Sequence, residues 1–149
     1  NDNFEKIFSY CKNNIILKRY LDIDKEKFKR LFLILKKNLK YYKELEEICE
    51  VYFDQEYKTK KNKLLNDNFN KLIINFVLSI ENISKWNHKN LELIIKNFIR
   101  NNNIKFIIFG KPLRLLLINL EKGPSINEIL LILGKKESIQ RIKNYINSL

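Results

Sequence analysis

Glycine and proline together make up five of 149 residues, three and two. That is too little turn chemistry for a hairpin-rich sheet protein. Methionine and alanine are absent, histidine occurs once and cysteine twice. No apolar run approaches the roughly 18 residues of a membrane-spanning helix; the longest core-like run is Ile129 to Leu133. The opening Asn1-Asp2-Asn3-Phe4 has no basic stretch followed by an apolar one, so it does not read as a secretory signal. With no Met at its start, the chain reads as a piece of something longer.

Catalytic signatures are missing too. The three glycines are isolated, so none can build a nucleotide-binding loop. One histidine, with no GxSxG or HExxH pattern, leaves hydrolysis without a candidate. Glu46-Glu47 is expected on a solvated helix face beside lysines. Cys11 and Cys49 lack metal-ligand spacing and fall at apolar positions, which predicts small buried thiols. His88 is expected on the surface in the first turn of a helix. No catalytic, cofactor-binding or metal-ligating set is assigned; this segment should bind rather than catalyse.

What is present is charge and helix periodicity. Lys and Arg number 29 against 17 Asp and Glu, a net charge of +12. A basic chain favours polyanionic partners. Only 5 of the 29 are Arg, however, and the 24 Lys accompany 21 Asn and 23 Ile, which share A/T-rich codons. Base composition of the gene is therefore an equal explanation of the excess. Residues 1–83 hold 17 basic and 13 acidic groups, and residues 84–149 hold 12 and 4.

Apolar residues recur at spacings of three and four, so the expected class is all-α, as two packed helical lobes, 1–83 and 84–149. Phe4, Ile7, Phe8 and Cys11 form one stripe, with Asp2 as its cap. Asp24 is placed to cap a helix carrying Phe28, Leu31, Phe32, Leu35 and Leu39. Leu45 to Tyr52 gives a further short helix, Thr59 to Lys63 a polar break, and Leu65 to Ile80 a long apolar stripe. The junction Ser84–Asn87 precedes a helix through Leu91, Ile95 and Phe98. Ile104 to Phe109 is irregular or helical, because one isolated strand has no partner. Pro112 suits a first helical turn, which makes Arg114 open a helix running to Leu120. Ser125-Ile126-Asn127-Glu128 is a capping box, and Gly134 a left-handed stop. A last helix carries Ile139, Ile142 and Ile146 inward, with Lys136, Arg141 and Lys143 facing away.

Two places in the second lobe offer polar groups to an unstacked base: the Gly110–Arg114 corner and the Gly123–Ser125 helix start. A helical protein-interaction module with incidental charge is the competing class. It predicts a large exposed apolar patch. A membrane-surface role is weaker, because the apolar stripes suffice to pack on one another.

The stretch Gly110-Lys111-Pro112-Leu113-Arg114-Leu115 is followed by Gly123-Pro124-Ser125-Ile126, by Leu130-Leu131-Ile132-Leu133-Gly134-Lys135, and by Ser138-Ile139-Gln140-Arg141-Ile142. In that order they resemble the C-terminal end of bacterial-type glutamyl-tRNA synthetases, class I enzymes. Trp86 also looks like a family position, and Leu35 to Phe53 is similar to the family's K-x-R-x-x-T-L-x-E-L…Y-F-F stretch. The resemblance covers nearly the whole chain. It implies the anticodon-binding part of a glutamate–tRNA ligase, a monomeric cytoplasmic or organellar enzyme of translation. ATP and Mg2+ would be used in a catalytic half that this segment lacks.

The resemblance also implies site residues. Arg114 matches an anticodon-contacting Arg, with a helix-surface Arg or an ion pair as the alternative. Gly123, Pro124 and Ile126 match the loop that wraps anticodon bases; Ile126 either packs on a base or lies in the core. A polar residue often stands where Gly123 is, so only backbone contacts are expected there. In the first lobe, relatives specific for tRNA(Glu) tend to carry an Arg where Asn38 falls, which puts selectivity against tRNA(Gln) in doubt. Lys36, Lys37 and Lys111 are candidate phosphate contacts.

Overall fold

The computed structural model describes residues 2–149, with side chains described from Glu5 onward. Asp2 and Phe4, expected as a cap and as part of the first stripe, lie outside the described side chains. The described residues form eight helices and no strand: α1 (Asp2–Asn13), α2 (Ile15–Ile23), α3 (Lys25–Leu35), α4 (Tyr42–Tyr52), α5 (Asp67–Glu81), α6 (His88–Asn101), α7 (Phe106–Ile118) and α8 (Ile126–Asn147). The all-α expectation holds. The chain divides into two compact units, Asn1–Glu56 and Tyr57–Leu149.

The division falls at Glu56, not at residue 83. The reason is the packing of α5. Its buried face, Phe69, Ile73, Phe76, Val77 and Ile80, lies against α6, α7 and α8 rather than against the first helices. The Ser84–Asn87 junction is likewise internal to the second unit. Trp86 Nε1 donates to the Leu130 carbonyl at 2.8 Å, and Lys135 Nζ donates to the Ile83 carbonyl at 2.7 Å.

In the first unit, α1, α2 and α3 follow one another with the single-residue joints Asn14 and Asp24. Asn14 Oδ1 accepts from the Ile16 and Leu17 N–H groups, and Asp24 Oδ1 from that of Lys27, so each joint satisfies donors that a helix start leaves unpaired. Helix α2, flanked by these two caps, packs on α1, α3 and α4. Its core holds Cys11, Leu17, Phe28, Leu31, Phe32, Leu45 and Cys49. Burial raises the Cys11 thiol to about 11 and the Cys49 thiol to about 12. Helix α3 stops at Leu35 instead of continuing to Leu39, because residues 36–38 form a turn closed by the Asn38 N–H on the Leu35 carbonyl.

The core of the second unit is aromatic. Phe109 sits between Phe76 and Phe98, with ring centroids at 4.9 and 5.0 Å, and Phe69 lies 5.9 Å away. Asn66, Asn87 and Ser125 cap α5, α6 and α8, and the Ser125–Glu128 capping box is present in both directions. His88 opens α6 on the surface, as expected. At Gly134 the α8 backbone turns to φ 80°, ψ 165°, a region only glycine occupies freely, which breaks α8 between Leu133 and Lys135. The helix therefore stops there as the sequence indicates, though not in the left-handed helical conformation.

Two local expectations are corrected. Helix α7 starts at Phe106, so Pro112 lies inside it rather than in its first turn, and Arg114 is deep in the helix rather than opening it. The apolar stretch Ile104–Phe109 supplies the missing first turn. The cost is one absent backbone bond to the Ile108 carbonyl, repaid by the burial of Pro112 among the leucines around it. A Cβ at Gly110 would stand 2.7 Å from the Phe106 ring, so the exposed Phe106 side chain would have to shift to admit one. Arg141 does not face away with Lys136 and Lys143. It is buried at 4% exposure, with Nη1 donating to the Leu117 carbonyl at the end of α7 at 2.8 Å.

Candidate nucleic-acid interface

The second unit brings together most of the residues singled out in sequence. After α7, Asn119 adopts a left-handed conformation (φ 58°) and turns the chain into the loop 119–125. That loop folds back alongside α7, and Arg114 Nε donates to the Pro124 carbonyl at 3.1 Å. Among the described residues, its two η nitrogens have no partner. A guanidinium fixed at Nε presents the other two nitrogens as a preset fork, which suits a base edge or a base carbonyl. Half-buried Arg114, half-buried Pro124 and exposed Gly123 thus share one surface. Gly123 has φ 155°, where side chains are disfavoured, which explains why no polar side chain stands there.

Three features qualify this cradle. Ile126 is only 1% exposed, so it belongs to the core beneath the capping box and not to a base-packing surface. Lys111 Nζ lies 3.5 Å from Glu121, so a phosphate there would displace an exposed ion pair, a weak interaction. The start of α8 is closed to phosphate: the Ser125 N–H donates to Glu128 Oε1, and the Glu128 N–H donates to Ser125 Oγ. A carboxylate at a helix start takes the place of an anionic ligand. The cradle therefore suits a neutral base edge better than a phosphate.

The remaining candidates lie in the first unit. Lys37 and Asn38 are exposed in the turn after α3, and Lys36 is half-buried. Lys36 lines a surface cleft together with Phe32, Leu39, Lys40, Tyr41 and Tyr42. Tyr42 stacks on Tyr10 with ring centroids at 4.0 Å, while Tyr41 is 70% exposed. Asn38 is not among the residues lining the cleft. Lys40 and Tyr41 were invisible to motif reasoning; the signal was the basic and aromatic run Lys40-Tyr41-Tyr42 itself.

Carbonyls at the end of α7 hold the loop in place. Tyr57 Oη donates to the Leu116 carbonyl at 2.8 Å, Thr59 Oγ1 donates to the same carbonyl at 2.8 Å, and Arg141 Nη1 donates to that of Leu117 at 2.8 Å. Arg141 also pairs with Glu137 at 2.9 Å and lies 4.0 Å above the Tyr57 ring.

Residues 8–146 match the family described as an anticodon binding domain. Similar curated proteins include the glutamate–tRNA ligase of Blochmanniella floridana, 30% identical over 96% of this chain and 31% of the relative. The glutamate–tRNA ligase of Flavobacterium johnsoniae is 27% identical over 80% of this chain and 24% of the relative. That of Buchnera aphidicola subsp. Cinara cedri is 29% identical over 100% of this chain and 31% of the relative. The chain spans about a quarter to a third of the length of these relatives. The chain belongs to the anticodon-binding domain family.

Proposed function

We propose, from that membership, that the chain grips the anticodon loop of tRNA(Glu) as the C-terminal part of a glutamate–tRNA ligase. The observation that carries this reading is the Arg114 guanidinium, anchored by Nε to the Pro124 carbonyl with its outer nitrogens unpartnered. Base contacts specify and phosphate contacts position; a fork fixed by the protein is built for the first task. The whole protein would join glutamate to tRNA with ATP and Mg2+ in a part this chain does not hold, acting as a monomer in the cytoplasm or an organellar matrix. Among the described residues no helix is long and apolar enough to cross a membrane.

Charging of tRNA(Gln) as well is the second reading. It is favoured by Asn38, a short neutral side chain exposed where the resemblance expects an Arg. Titration of the chain with hairpins bearing a glutamate anticodon or a scrambled one tests the first reading. Arg114→Ala is expected to weaken the glutamate hairpin by roughly 1–3 kcal/mol and to flatten the preference. Arg114→Lys should recover little of either, because lysine keeps the charge without the fork. A uniform loss across both hairpins would reduce Arg114 to a phosphate contact.

A further inference from the structure

Sequence reads Thr59–Lys63 as a polar break; the structure makes the surrounding segment a fixed strap. Thr59 is held on the Leu116 carbonyl, and the Lys60 N–H donates to Asn119 Oδ1 at 2.8 Å. Asn119 Nδ2 returns a bond to the Lys58 carbonyl at 2.9 Å. Beyond it, the Leu64 N–H donates to Asn62 Oδ1 at 2.9 Å. The strap thus hangs from Asn119, the residue that opens the loop carrying Gly123 and Pro124.

Lys58, Lys60, Lys61 and Lys63 are all exposed on this strap. Among the described residues none of the four ammonium groups has an acidic partner, whereas Lys96, Lys111 and Lys143 each have one. No acidic residue occurs between Tyr57 and Asn66. Four like charges on a segment tied down at Lys58–Lys60 and running into the capped α5 repel one another, and an anion relieves that repulsion. They are lysines throughout, point charges suited to phosphate oxygens rather than to base edges.

We propose that these four lysines form a phosphate rail, gripping the RNA backbone beside the base cradle of Arg114 and the Gly123–Pro124 bend. The rail supplies affinity and the cradle supplies choice. This rests on the RNA-binding reading above, but its test is separate. The chain and its Lys58→Gln/Lys60→Gln/Lys61→Gln/Lys63→Gln variant are titrated with the same two hairpins across a salt series. Each phosphate contact contributes about 0.7 to the slope of log affinity against log salt for a single strand. The variant slope is expected to fall by about 2–3, so that its deficit shrinks by about fifty-fold between roughly 50 and 200 mM salt. The glutamate-to-scrambled preference stays within about twofold of wild type, and the quadruple Lys→Arg variant keeps the wild-type slope. Trp86 fluorescence during denaturation checks that the exposed substitutions leave the fold intact. An unchanged slope, a collapse of the preference, or poly-glutamate binding as tightly as the hairpin would each overturn the rail. Equal binding of both hairpins by wild type would overturn the anticodon reading alone, and the slope would still decide the rail.

Discussion

The two units differ first in charge. Residues 1–56 contain 12 basic and 11 acidic side chains, and residues 57–149 contain 17 and 6. Placing the division at Glu56 therefore assigns nearly all of the excess to one unit, whereas a division at residue 83 spread it over both. Codon bias acts on a whole gene and gives no reason for acids to be depleted in one unit alone. The units also differ in how they are built. The first is stitched from helices of 9 to 12 residues, the first three joined through the single polar residues Asn14 and Asp24. The second closes an aromatic core with contacts far apart in sequence, such as Tyr57 on Leu116 and Trp86 on Leu130. The lesson is one of charge placement: the exposed lysines without acidic partners and the preset guanidinium sit in the second unit, and the first offers a near-neutral cleft.

That contrast can be broken or sharpened unit by unit, because each carries its own probe. The single Trp lies in the second unit and both cysteines lie in the first. The largest effect is expected from Phe109→Ala, which empties the centre of the ring cluster. It should cost about 3–5 kcal/mol in denaturation followed by Trp86 emission. If thiol alkylation under native conditions speeds up in parallel, the two units are not independent. Arg141→Ala should cost about 2–4 kcal/mol by the same measurement, since it strands the Leu117 carbonyl and Glu137. It should also loosen hairpin binding, because the loop hangs from that helix end; full binding by a folded Arg141→Ala chain would uncouple the two.

Asn38→Arg probes the neutral unit. It should raise the preference for a glutamate over a glutamine anticodon by about tenfold, within what one base contact supplies. No change in that ratio would remove Asn38 from the interface. The smallest effect concerns the thiols. Burial raises their folded-state values from 9.0 to about 11 and 12, so the unfolded chain ionises first. Their contribution is present in full below pH 9 and lost as pH rises towards 11–12. The stability gap between wild type and Cys11→Ala/Cys49→Ala should therefore narrow from pH 8 to 11; a constant gap would mean that both thiols are accessible in the folded state.

Most of the helices and caps and the Gly134 break were legible, because apolar spacing and capping chemistry are local; α2 and its Asn14 cap went unread. Asp24, Asn87 and the Ser125–Glu128 box each act within one turn, so their residues alone identify them. The Arg114 and Gly123–Pro124 cluster was legible only as an ordered set of motifs; nothing in their spacing shows that the loop folds back to meet Nε. Two misreadings share a cause. Pro112 inside α7 and Arg141 turned inward both depend on neighbours remote in sequence, which override local preference.

Sequence by itself determined that the chain is helical and basic, since periodicity and counts need no partner to be meaningful. Tertiary structure alone decided where the units divide, which cations are left without an acidic partner and which are paired, and that a polar break becomes a strap tied to Asn119. The physical reason is that a hydrogen bond from Asn119 to Lys58 joins residues 61 apart in the chain. Their meeting is set by how α5, α7 and α8 pack, and no local pattern records it.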